Sequence, residues 1–148
     1  MNINKKLTKS ILVIALQIVV ITSLLTVAKF MRDGVPLFGI PSEEDVQRIT
    51  ISYPALTDDL KEITSPDEIL YGVKLTNLLK YELFKEADPL DNLLVEITYY
   101  LKNNKQVQVY ANNSTVWWKD KAYKIKEAEL FIYAVESGFF LQEFNANN

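Results

Sequence analysis

The residues of this chain that could carry chemistry are its carboxylates and its aromatic side chains, because the sequence contains neither Cys nor His. That composition excludes the commonest general base, the thiol nucleophile and most zinc sites. The residue types that are present still allow hydrolysis by a pair of carboxylates. The carboxylates considered for such a pair are Asp58, Asp59, Glu96 and Asp120. No spacing singles out one pair, so we expect no catalytic residues and a protein that is not an enzyme.

Acidic residues also cluster in three short segments, at residues 43–45, at residues 58–59, and at Asp88 with Asp91. A calcium-binding loop needs alternating oxygen ligands, a central Gly and a terminal Glu, and none of the three segments has that order. We interpret them as solvated surface charge. The sequence therefore predicts no metal site and no cofactor.

A second kind of chemistry is recognition by exposed aromatic rings. One face of the predicted sheet presents aromatic and polar side chains together, namely Thr98, Tyr100, Gln108, Tyr110, Trp117 and Lys124. Tyr and Trp on a flat strand surface are typical of a patch that stacks on sugars or covers the apolar side chains of a peptide. Two alternatives stay open: cross-strand aromatic pairs that only stabilise the sheet, or coverage by the segment before the domain.

The first hairpin that positions this patch has strands at residues 93–101 and 106–111. A three-residue loop at residues 103–105 keeps one face apolar, and Asn tolerates the left-handed backbone that such loops need. The predicted pairs are Leu101 with Val107, Tyr99 with Val109, and Ile97 with Ala111.

The second hairpin spans residues 115–126, with a predicted turn at Asp120 and Lys121. This turn directs Trp118 inward and Trp117 outward, opposite Lys124. The predicted inward pairs are Trp118 with Tyr123 and Val116 with Ile125. Lys119 pairs with Ala122 and closes the turn.

The remaining elements complete an α+β domain. We predict strands at residues 45–53 and 60–64, a helix from Pro66 to about Phe84, and a turn at residues 88–92. Ser65 and Glu68 form a capping box at the start of that helix. A second helix spans residues 127–137 and stops at Gly138, and residues 139–144 form a final strand. The order ββα-ββββ-α predicts a mostly antiparallel sheet with the helices on one face.

Residues 11–28 form an uncharged apolar run. As a helix they span about 27 Å, close to the hydrocarbon thickness of a bilayer. Lys5, Lys6 and Lys9 precede the run, and Lys29 and Arg32 follow it. Because basic residues stay inside, we expect an N-terminus in the cytoplasm and a C-terminal domain outside. A cleaved signal peptide is the competing interpretation, with small residues at Thr26 and Ala28.

The chain therefore divides into a cytoplasmic tail at residues 1–10, a transmembrane helix at 11–28, a Gly/Pro stalk at 29–41 and an exported domain at 42–148. From Asp33 onward, 19 acidic residues stand against 11 basic residues, a net charge of −8. Since phosphate neutralisation supplies most of the affinity for nucleic acid, an acidic domain argues against nucleic-acid binding. An exported chain without Cys is ordinary for a Gram-positive bacterial surface protein.

Three segments, at residues 34–54, 95–113 and 114–125, carry a resemblance in pattern. With the apolar helix and the stalk, the chain resembles small, uncharacterised membrane-anchored proteins of Gram-positive Firmicutes, which carry a compact exported α+β domain. The resemblance covers about half of the chain and implies a location at the cell membrane. It carries no assigned catalytic residues.

These expectations favour a non-enzymatic binding, sensor or accessory module at the outer face of the cytoplasmic membrane. Its partners would be the lipid bilayer, through residues 11–28, and a protein, a peptide or a cell-wall glycan at the outer sheet face. The alternatives are a cell-wall enzyme that uses carboxylates, or an accessory subunit of a membrane transporter or sensor kinase. If the protein is such an enzyme, at least two of the four carboxylates should converge in a deep cleft.

Overall fold

The computed structural model describes residues 2–87 and 92–141. The chain forms two compact units, one ending at Gly34 and one beginning at Val35. The first unit is a single helix, α1 (Asn2–Asp33). The second unit is an α+β domain.

Helix α1 contains the segment Thr8–Asp33, which is long and apolar enough to cross a membrane or to be a signal sequence. Three hydroxyl side chains of this segment bond within the helix. The hydroxyls of Thr22, Ser23 and Thr26 donate to carbonyl oxygens one turn earlier, at 2.8–3.0 Å. These bonds leave the hydroxyls satisfied without water.

The domain contains eight strands in the part of the chain that the structure describes. They are β1 (Val35–Pro36), β2 (Val46–Tyr53), β3 (Thr57–Ile63), β4 (Lys80–Glu86), β5 (Val95–Leu101), β6 (Gln106–Ala111), β7 (Thr115–Trp118) and β8 (Lys121–Lys126). Helix α2 (Pro66–Asn77) follows β3, helix α3 (Ala128–Phe139) follows β8, and a 3₁₀ turn (Glu43–Asp45) precedes β2. The strands form one antiparallel sheet in the order β1-β4-β8-β7-β6-β5-β2-β3.

Helix α2 begins as predicted but ends earlier. Pro66 occupies its first turn, and the Ser65 side chain accepts a hydrogen bond from the Glu68 backbone N–H at 3.3 Å. The predicted extension to Phe84 is wrong, because the helix ends at Asn77 and β4 follows. Pairing of β4 with strands distant in sequence overrides the local helical pattern.

Strand β4 and the short β1 form the sheet edge that the sequence does not predict. Val35 lies opposite Tyr81, and Tyr81 lies opposite Ile125 of β8. Leu37 is buried in the hydrophobic core. The predicted stalk is therefore partly wrong: residues from Val35 onward belong to the domain, which begins before residue 42.

The β5–β6 hairpin has a three-residue loop, but the predicted register is wrong by two residues. Leu101 donates its N–H to the Lys105 carbonyl, so that Tyr99 pairs with Val107. Asn104 has φ 63°. This is the left-handed position of a three-residue loop, which Asn occupies at low cost. A shift of two residues keeps every side chain on its predicted face.

The β7–β8 hairpin turns at Lys119 and Asp120, not at Asp120 and Lys121. Both residues have positive φ, 50° and 62°, as the tight turn of a two-residue hairpin loop requires. Trp117 consequently lies opposite Ala122 rather than Lys124. The predicted register is again wrong by two residues, and Trp118 still faces inward and is buried.

Helices α2 and α3 both pack on the sheet face that carries Ile49 and Tyr53 of β2. A Cβ at Gly72 of α2 would lie 2.8 Å from Ile49 Cδ1, so Gly permits the close approach of this helix. On α3, the Glu136 carboxylate accepts a hydrogen bond from the Tyr53 hydroxyl at 2.6 Å. The predicted position of the helices on one face agrees with these contacts.

Helix α3 buries the predicted apolar face, formed by Ala128, Phe131, Ile132 and Val135. It continues through Gly138 to Phe139, so the predicted stop at Gly138 is wrong. The predicted final strand is wrong for residues 139–141, and its other residues lie outside the described part of the chain. The predicted turn at residues 88–92 also lies outside it, except for Asn92.

Candidate functional site

The candidate site is a groove of about 930 Å³ beside the first half of β6. Beside the groove, β6 has six residues whereas its neighbour β7 has only four. The β6–β7 pairing brings Tyr110 opposite Trp117 and Ala111 opposite Val116. The residues that line the groove are Gly39, Leu93, Gln106, Val107, Gln108, Tyr110, Trp117, Trp118, Lys119 and Asp120.

Tyr110 and Trp117 form the aromatic side of the groove. They are directly opposed on adjacent strands, and both are half-buried. Burial raises the pKa of the Tyr110 phenol, and the negative charge of Glu96 raises it further. The phenol therefore stays protonated at neutral pH and can both donate and accept a hydrogen bond at the groove.

The turn at Lys119 and Asp120 forms the opposite side, and it is held by the loop after β1. The Phe38 carbonyl accepts hydrogen bonds from Trp118 Nε1 at 3.3 Å and from Lys119 Nζ at 3.0 Å. Gly39 follows with φ 94°, and a Cβ there would lie 2.9 Å from Lys119 Nζ. The residues predicted as a stalk thus border the groove.

Next to the groove, the side chains of the outer face bond to one another. Glu96 Oε1 accepts hydrogen bonds from the Gln108 side-chain amide and from the Thr98 hydroxyl, both at 3.3 Å. Glu96 therefore lies on the outer face beside the groove, where its oxygen is engaged by neutral donors.

The predicted site residues separate into two groups. Gln108, Tyr110 and Trp117 line the groove. Tyr100 does not line the groove, and the Arg48 guanidinium covers its ring at 3.6 Å from the centroid. Lys124 lies opposite Thr115 and does not line the groove.

Thr98, the last residue of the predicted patch, faces the outer side but is buried between its neighbours. Arg48, which covers Tyr100, also bonds Glu62 at 3.1 Å. This part of the outer face is consequently occupied by the protein's own side chains.

The four carboxylates considered for hydrolysis do not converge. Asp58 and Asp59 lie on β3 at one edge of the sheet, Glu96 lies on β5, and Asp120 lies in the β7–β8 turn. Of the four, only Asp120 lines the groove. Within residues 2–87 and 92–141, no group of three or more carboxylates could hold a metal ion.

Sequence reasoning missed the groove residues that depend on the turn position. With the turn placed one residue later, Lys119 belonged to a strand, and β7 was long enough to lie opposite Gln108. The signal that could have located the turn is weak, because Lys is not a typical residue for positive φ. Gly39 carried a clearer signal, since Gly in a Pro-flanked segment indicates a bend.

The chain matches no protein-family model, no curated protein sequence and no solved structure.

Proposed function

We propose that this protein is a single-pass, membrane-anchored binding module whose domain lies outside the cytoplasmic membrane and takes its ligand in the groove beside Tyr110 and Trp117. Helix α1 is the anchor, with the N-terminus in the cytoplasm. The length and apolar character of Thr8–Asp33 support this role. The three Lys residues before the apolar run support the orientation.

The observation that carries the binding role is the composition of the groove wall. Aromatic side chains from two strands meet amide side chains of β6 in a concave surface of about 930 Å³. Ligand sites are concave and combine apolar walls with a few polar groups that orient the ligand. Tyr and Trp side chains at a surface add contact area at small entropic cost, which is the reason they dominate binding surfaces.

The experiment uses one Trp as the reporter. The chain has two Trp residues and both border the groove, but Trp118 is buried whereas Trp117 is half-buried there. The variant Trp118→Phe leaves Trp117 as the single Trp, which is excited selectively at wavelengths that Tyr does not absorb. The full chain is placed in lipid nanodiscs and titrated with two probes: a pool of random dodecapeptides and the glycan tetra-N-acetylchitotetraose.

We expect a saturable change of Trp117 emission with at least one of the two probes. The control is Tyr110→Ala in the same background, which should weaken that change because the opposing ring is lost. If neither probe changes the emission at millimolar concentration, a binding role of this groove is wrong.

A further inference from the structure

The groove exposes an unpaired stretch of sheet edge in the middle of the sheet. On one side, β6 pairs with β5 along its whole length, from Gln106 opposite Tyr100 to Ala111 opposite Val95. On the other side, β7 ends at Trp118, and the first pair of the ladder is Tyr110 with Trp117. The groove therefore occupies the place where a longer β7 would lie.

The backbone groups that face this space are those of Gln106 and Gln108. In an antiparallel pair, successive residues direct their N–H and C=O groups to alternate sides. In the β5–β6 hairpin, the Leu101 N–H donates to the Lys105 carbonyl. The backbone groups of the odd-numbered residues of β6 therefore bond to β5. On the even-numbered side, Asn112 N–H donates to the Thr115 carbonyl of the β7 hairpin at 2.9 Å.

Gln106 and Gln108 therefore present two N–H donors and two C=O acceptors to the groove, spaced about 6.8 Å apart along the strand. Among the residues that the structure describes, no backbone group pairs with them there. The Gln108 side chain is directed to Glu96 and leaves the backbone accessible. Such a row of groups is a template for an added strand.

The charges beside the groove differ from those of the domain. From Asp33 onward the chain carries a net −8. Lys119 and Asp120 line the groove, exposed Lys105 and Lys121 lie next to its two turns, and Glu96 lies beside it on the outer face, so three Lys residues stand against two acids. This local excess of positive charge favours an acidic partner at short range.

We propose that the groove binds an extended peptide segment carrying an acidic residue, which adds to the edge of β6 as a strand in line with β7. The peptide backbone bonds to Gln106 and Gln108, its apolar side chains cover Trp117 and Tyr110, and its acidic residue faces the lysines. This is strand addition, in which the main chain gives affinity and the flanking pockets give specificity. The inference rests on the proposed function, because it names the ligand class of the same groove.

A glycan fits this edge less well. Stacking of a sugar on Trp117 and Tyr110 uses ring faces only, and it makes no use of two donors and two acceptors at the spacing of a β-strand. The peptide alone uses all three features: the edge, the aromatic wall and the lysines.

The first experiment measures amide hydrogen exchange by NMR on the full chain in lipid nanodiscs. The probe is the tightest acidic dodecapeptide selected from a phage-displayed random library. In the free protein, we expect the amides of Gln106 and Gln108 to exchange faster than those of Val107 and Val109, which bond to β5. Saturation with the peptide should slow the first two by at least about tenfold and leave Val107 and Val109 unchanged.

The second experiment removes one donor. Gln108→Pro deletes an N–H that the β5 ladder does not use, a change that an edge position tolerates. Gln108→Ala is the matched control, because it loses the same side-chain bond to Glu96 but keeps the N–H. We expect the Pro variant to bind the peptide about fivefold to tenfold more weakly than the Ala variant.

The outcomes separate this inference from the proposed function. Protection of both amides together with the Pro effect supports strand addition. Peptide binding that leaves Gln106 and Gln108 exchange unchanged overturns it, while the binding role of the groove remains. A Trp117 response to chitotetraose without any response to peptides overturns it in the same way.

Discussion

Tyr110 of β6 lies directly opposite Trp117 of β7, whereas the next residue, Trp118, points to the other face and is buried in the core. Two consecutive Trp residues therefore belong to different parts of the molecule. Trp118 connects the core to the loop after β1, through its bond to the Phe38 carbonyl. Trp117 forms the wall of the groove.

The two Trp residues should respond differently to truncation. We expect Trp118→Ala to lower the free energy of unfolding by about 3–5 kcal/mol, the cost of removing a buried large side chain. Trp117→Ala should cost only about 1 kcal/mol, because it loses a half-buried cross-strand pair. Urea unfolding of the full chain in detergent micelles, followed by circular dichroism, measures both values. Equal losses for the two variants would contradict the assignment of their faces.

A buried hydroxyl pair links α2 to the sheet. The Tyr99 hydroxyl shares a hydrogen bond with the Thr76 hydroxyl and donates to the Gly72 carbonyl oxygen at 3.2 Å. We expect Tyr99→Phe and Thr76→Val each to destabilise the domain by about 1–2 kcal/mol, because each removes one partner of a buried hydrogen bond. Urea unfolding gives these values.

The double variant Tyr99→Phe/Thr76→Val provides the control for that pair. It removes both polar groups at once, so its cost should be smaller than the sum of the two single costs by about 1 kcal/mol. Strict additivity would show that the two hydroxyls do not interact.

The stability of the domain should fall in alkaline solution. Burial raises the pKa of Tyr53 above its ordinary value near 10, and the hydrogen bond and negative charge of Glu136 raise it further. Burial also raises the pKa of Tyr99, against the opposite effect of its bond to Thr76. A folded-state pKa above the unfolded one means that the unfolded chain loses the proton first. The stabilisation is therefore complete below pH of about 10 and is lost as the pH rises above it.

The measurement is the urea midpoint between pH 8 and 11.5. We expect a constant midpoint up to about pH 9.5 and a steady fall beyond it. Tyr53→Phe should make that fall shallower, because one titrating group is removed. A midpoint that rises with pH in this window is incompatible with the environment of Tyr53.

Phe84 occupies a backbone conformation that a bulky side chain rarely adopts. Its φ is 64°, in the irregular stretch of β4, and 81% of its surface is exposed. We expect Phe84→Gly to be more stable than Phe84→Ala by about 1 kcal/mol, since only Gly adopts this φ without a Cβ penalty. Thermal or urea unfolding of both variants decides the point, and a more stable Ala variant would contradict the positive φ.

The faces of the sheet could be predicted from the sequence, but the registers could not. The alternation of apolar residues in β5 and β6 assigns Tyr99 inward and Gln108 outward, and a two-residue shift preserves both assignments. The position of the β7–β8 turn depends on the positive φ of Lys119 and Asp120, which residue type indicates poorly. The groove follows from that turn, so its edge at Gln106 could not be predicted.

Local signals sufficed for the start of α2, where Ser65 caps the helix through Glu68 N–H. They failed for its end, because β4 is determined by contacts of Tyr81 with Val35 and Ile125, both distant in sequence. A two-residue strand such as β1 has no periodicity of its own and is recognisable only when its partner is known.

The central claim is that α1 anchors the domain outside the cytoplasmic membrane, and labelling of single Cys residues in intact cells tests it most directly. The chain contains no Cys, so Asn113→Cys in an exposed turn and Lys5→Cys before the apolar run each introduce one thiol. We predict that a membrane-impermeant maleimide labels Asn113→Cys in intact cells, that Lys5→Cys reacts only after lysis, and that both stay in the membrane fraction. Labelling of Lys5→Cys from outside with protection of Asn113→Cys would contradict the orientation, and recovery of Asn113→Cys in the medium would contradict the anchor.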